Sequence, residues 1–113
     1  MQPPRRAWAL LHAEDDSLSH LLGDVFAELG MEHSPRAAEN AQLVLVHVEG
    51  REGLGHLERA VRSHSARARV VALLPFADDR MTRASTLRGA RGVYALGTPL
   101  EHLKTLVSEG LAG

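Results

Sequence analysis

At 113 residues, with 44% hydrophobic and 24% charged side chains, the chain has the size and composition of one folded domain, which argues against an intrinsically disordered protein. There is no cysteine, so disulfide staples and thiolate metal or redox chemistry are excluded, and the cytosol is the expected setting. The net charge of -1 hides a split: residues 1–57 carry nine acids and four bases, while residues 58–113 carry five acids and nine bases. That split predicts an acidic mouth and a basic flank. A nucleic-acid surface is not expected, because the bases are scattered over several segments and aromatic residues are only 4% of the chain.

The N-terminal stretch "MQPPRRAWALLHAEDD" pairs two arginines with a short apolar run, but acids interrupt it at Glu14. A membrane span needs ~20 apolar residues, and no small-residue cleavage site follows, so neither a span nor a signal peptide is expected. "AWALLHA", Ala7 to Ala13, suits a strand buried on both faces. "SLSHLLGDVFAELG" follows with Leu18, Leu21, Leu22, Val25, Phe26 and Leu29 at helical spacing, Asp16 or Ser17 available as cap and Gly30 as stop. "MEHSPRAAENAQ" has room only for a short strand near Met31 to His33 and one or two helical turns from Ser34 and Pro35.

"LVLVHV" reads as the second clear buried strand, and "GLGHLERAVRSH" puts Leu54, Leu57, Val61 and His64 on one helical face. "RVVALL" is the third clear strand. "DDRMTRASTLRGA" reads as a helix capped by Asp78 and ending near Gly89. After "GVYAL", the last helix opens on a capping-box pattern, with Thr98 as cap, Pro99 at the first helical position and Glu101 three residues on. Strands alternating with helices predict an α/β fold whose parallel sheet is covered on both faces, with its working edge at the loops after the strands' C-terminal ends.

Four segments in order, "LLHAEDDSLSHLLGDVFAELG", "AQLVLVHVEG", "RVVALLPFADD" and "LRGARGVYALGTPLEHL", resemble the receiver domain of bacterial two-component response regulators over about residues 7–111. The resemblance implies a single flavodoxin-like three-layer domain with strand order 2-1-3-4-5, here with a shortened second strand and second helix. In that family two acids after the first strand hold Mg²⁺, an aspartate ending the third strand takes the phosphoryl group, a Thr or Ser ends the fourth and a Lys ends the fifth. The acid pair falls on Glu14 and Asp15, with Asp16 beside them, but the phospho-acceptor position falls on His47.

The hydroxyl position falls on Leu74, or on Pro75 one residue on, and the lysine position on Leu96 or Gly97. A carboxylate nucleophile, a hydroxyl and an ammonium are each needed to take up and read a phosphoryl group, so the resemblance implies a degenerate, phosphorylation-independent pseudo-receiver. It is expected to act by binding a signalling protein or a second copy of itself, not as an enzyme. The family's partner face of fourth helix, fifth strand and fifth helix falls here on Arg80, Met81, Arg83, Arg88, Arg91, Tyr94 and Lys104. No cofactor is expected; the alternative is a metal- or ligand-responsive sensor in which Glu14, Asp15, Asp16 and His47 hold a divalent cation such as Zn²⁺ or Mn²⁺. An imidazole in that acid cluster is expected to ion-pair with Asp15.

Overall fold

The computed structural model describes residues 7–13, 16–33, 41–66 and 68–112, and for Asp16, Glu32, His33 and residues 108–112 the backbone only. Nine elements follow in chain order: β1 (Ala7–Leu11), α1 (Asp16–Glu28), β2 (Glu32–His33), β3 (Leu43–His47), α2 (Gly50–His64), β4 (Arg69–Leu74), α3 (Asp79–Leu87), β5 (Gly92–Ala95) and α4 (Leu100–Ala112). All strand pairs are parallel, and the sheet runs β2-β1-β3-β4-β5. This is the predicted order, with β2 reduced to two residues at the edge. The helical turns expected from Ser34 lie outside the described residues.

Strand alternation divides the core in two. Val44, Val46 and Val48 join Val70, Ala72, Leu74, Leu54 and Leu57 beneath α2 and α3. Leu43 and Leu45 join Val71, Leu73, Trp8, Phe26 and Leu103 beneath α1 and α4. Leu43 through Val46 are all fully buried, as a central parallel strand covered on both faces requires. With few aromatics available, Leu, Val and Ala fill most of this volume, and Trp8 meets Phe26 edge to face at 4.8 Å.

The helix ends follow their local chemistry closely. Asp78 caps α3, accepting from the amides of Arg80 at 2.9 Å and Met81 at 3.2 Å. Gly30 and Gly89 adopt positive φ and close α1 and α3 with paired bonds: Gly30 N–H to Ala27 O with Met31 N–H to Phe26 O, and Gly89 N–H to Thr86 O with Ala90 N–H to Ser85 O. Both are Schellman closures, in which the glycine supplies the left-handed residue. The α4 cap differs from its prediction. The Thr98 hydroxyl donates to Ala95 O at 2.6 Å, in the preceding turn, and the helix starts at Leu100 without a bond from the Glu101 amide to Thr98 among the described residues. Helix α2 also starts a turn earlier than expected, at Gly50, with no side-chain cap.

At Gly89 a Cβ would lie 2.8 Å from Val61 Cγ1, on a backbone with φ of 102°. Gly89→Ala is therefore expected to lower stability by about 1–3 kcal/mol in urea unfolding. Gly55, in the interior of α2 with open space around it, is the control: Gly55→Ala is expected to raise stability by about 0.5–1 kcal/mol.

Candidate functional site

In a parallel α/β sheet the strand ends deliver side chains to one crevice. His47 is the last residue of β3 and is half-buried, with Leu73 of β4 beside it in register. Following the alternation of Leu43 and Leu45, it lies on the α1/α4 side of the sheet. It has no hydrogen-bond, ion-pair or ring partner among the described residues. Glu14 and Asp15 lie outside the described residues, as does the side chain of Asp16, and with them the expected ion pair to Asp15. Among the described residues no three His, Asp or Glu side chains are placed to hold a metal ion.

The two positions expected to align with the hydroxyl and the lysine of a receiver are apolar. Leu74 is 1% exposed and packs beneath α2 and α3, on the opposite face of the sheet from His47. Pro75 is half-buried. Leu96 packs against the α1/α4 cluster, and its amide donates to Leu74 O at 2.9 Å. Gly97 turns the chain into α4 with φ of 94°. None of these four side chains can donate a hydrogen bond or carry a charge.

The expected partner face is only partly assembled. Arg80 and Arg83 are exposed on α3 and form no ion pair among the described residues. With Asp79, Ala84, Leu87 and Arg88 they line a groove of ≈ 290 Å³, in which the cations outnumber the one acid. Arg91 is exposed at the entry to β5. Arg88 folds back, its Nη1 donating to Ala84 O at 3.1 Å, and Met81 is half-buried against the α2/α3 core.

Two residues expected on the face do not belong to it. Tyr94 is only 3% exposed, its ring in the α1/α4 core and its hydroxyl donating to Thr98 O at 2.6 Å. Lys104 points toward α1, with Nζ 2.8 Å from Glu28 Oε2, and that hydrogen bond, followed by the carboxylate's charge, raises the lysine pKa. Leu87, not anticipated, is 79% exposed. Its signal was present in the sequence, since Leu87 falls off the stripe of Met81, Ala84 and Ser85 that α3 turns inward.

A second unanticipated feature is a pair of histidines. His12, directly after β1, stacks on His56 of α2 with ring centroids 3.8 Å apart and planes 10° from parallel. His12 holds φ of 62°, uncommon for a residue with a side chain. Although the side chain stays largely exposed, partial desolvation lowers its pKa, and the neighbouring positive charges of His56 and Arg59 lower it further.

No protein-family model matches the chain, and no curated protein matches it in sequence. Solved structures do match in shape. A response regulator from Thermotoga maritima superposes with a TM-score of 0.82 at 17% identity, covering 97% of this chain and 100% of that one. The fold is that of a response-regulator receiver domain. The receiver domain of Klebsiella pneumoniae RstA gives 0.77 at 18% identity, covering 96% and 99%. An orphan response regulator of H. pylori gives 0.74 at 16% identity, covering 96% and 99%. No helix among the described residues is long and apolar enough to cross a membrane.

The His12 shift carries a pH dependence with a definite sign. Its folded-state pKa lies below the ordinary value of about 6.5, so the unfolded chain takes the proton more readily and stability falls as pH drops through that value. Asn tolerates the same backbone but does not titrate. His12→Asn is expected to lose less stability than the wild type between about pH 7.5 and about pH 5.5, measured by thermal unfolding. Equal losses would show that His12 does not carry the pH dependence.

Proposed function

We propose that the chain is a receiver-like signalling domain that acts by protein binding and without phosphorylation, and is not an enzyme. The observation that carries this reading is the replacement at the strand ends: an imidazole ends β3, and buried or half-buried apolar residues end β4 and follow β5. Phosphoryl transfer to a receiver requires a carboxylate acceptor, and the resulting switch requires a hydroxyl and an ammonium to follow the new charge. Here all three are absent together, so the surface is fixed and not chemically gated.

The binding face is the outer side of α3. Arg80 and Arg83, without an ion-pair partner among the described residues, line a groove with Leu87, which offers an apolar contact that is otherwise exposed to water. An apolar centre with a charged rim is the usual anatomy of a protein interface. The partner is a signalling protein or a second copy of the chain, met through acidic groups that complement the arginines.

Arg80→Glu with Arg83→Glu should weaken association about tenfold or more, read by affinity capture on the immobilised domain and by sedimentation of the domain alone. Acetyl phosphate with Mg²⁺ should change neither measurement. A partner retained only in the presence of acetyl phosphate, or binding untouched by the double reversal, would sink the proposal.

A further inference from the structure

A cavity lies beside the end of β4. Between the loops that follow β3 and β4 lies a space of ≈ 290 Å³ whose walls are Val48, Leu74, Pro75, Phe76 and Met81. Pockets for small ligands run from about 300 Å³ upward, so this one is at the lower end of that range. It opens at the C-terminal edge of the sheet, where open α/β folds place their ligands. Phe76 stands 63% exposed at it, so its ring is open to a ligand.

Its charge decides what it would hold. Glu49 and Asp78 also line the space, and among the described residues lining it there is no Lys, Arg or His. Neither carboxylate has a salt-bridge partner among the described residues. Asp78 uses Oδ1 for the two amides of its cap. The N-termini of α2 and α3 also begin here, and their dipoles would favour an anion with roughly half a positive charge each. Two full carboxylate charges outweigh two halves, and the net sign is negative.

We infer that this cavity binds a free small-molecule ammonium ion with an apolar body. The body would fill the space between Leu74, Pro75 and Met81, and the cation would meet Glu49, Asp78 and the face of Phe76. Nothing in this inference depends on the α3 arginine face or on the state of His47.

A matched series separates the contributions: 3-phenylpropylammonium, 3-phenylpropanol and 3-phenylpropionate share one body and carry positive, neutral and negative heads. Each is titrated into the isotope-labelled full chain while amide shifts are followed. The ammonium should give saturable shifts at Val48, Gly50, Phe76 and Met81, with an affinity at least about tenfold above the alcohol and the carboxylate weakest. Phe76→Ala and Glu49→Gln alter exposed side chains, and each should weaken the ammonium about fivefold or more while amides elsewhere stay in place. Asp78→Asn keeps the helix cap and should weaken it as well. Equal binding of all three probes, preference for the carboxylate, no saturable shift up to about 10 mM, or indifference to Phe76→Ala and Glu49→Gln would each overturn the inference.

Discussion

The structure depends on β3 being buried on both faces. A central parallel strand has no side exposed to solvent, so its residues must be apolar in both registers, and Leu43 through Val46 meet that demand completely. The first polar side chain can appear only where the strand emerges from between the helical layers. That point is His47, and the same geometry brings Leu74 and Leu96 to the ends of the neighbouring strands. On the proposed receiver-like reading, the position of His47 is where a phospho-accepting aspartate is expected. His47 places an imidazole where the fold brings side chains to the strand ends, while Leu74 and Leu96 belong to the two cores on either side of the sheet.

The strand ends are used differently on the two sides of the sheet. On one side Leu74 joins the core beneath α2 and α3, and the space beyond it is lined by apolar residues under the first turn of α3. On the other, Leu96 packs with Tyr94 and Leu103, and the Tyr94 hydroxyl is tied to Thr98 O within the turn that leads to α4. A tyrosine held in this way is part of the packing and not a reporter at the surface. The exposed chemistry is left to α3, where Arg80, Arg83 and Leu87 face water because Met81, Ala84 and Ser85 form its inward stripe.

Most of the fold was legible in the sequence because its signals are local. The β4 segment "RVVALL" coincides with Arg69–Leu74, and the Asp78 cap and the Gly30 and Gly89 stops act through their own neighbours. The α4 capping box was misread because a threonine hydroxyl can bond either way along the chain, and here the Ala95 carbonyl lies within reach. The partner face was only half legible. The resemblance put Arg80 and Arg83 on that face, and both are exposed, but whether Lys104 faces α3 or α1 depends on where Glu28 lies in space. Likewise the stack of His12 on His56 joins residues far apart in the chain, and no spacing rule announces it.

The most direct test of the central claim is an amide NMR titration of the labelled domain with Mg²⁺ and then beryllofluoride, which mimics an aspartyl phosphate. A fixed, phosphorylation-independent surface predicts that the amides of residues 43–48 and 92–98 stay where they are. Saturable shifts at His47 that extend to Tyr94 and the turn after β5 would contradict it and restore a working phosphoryl site.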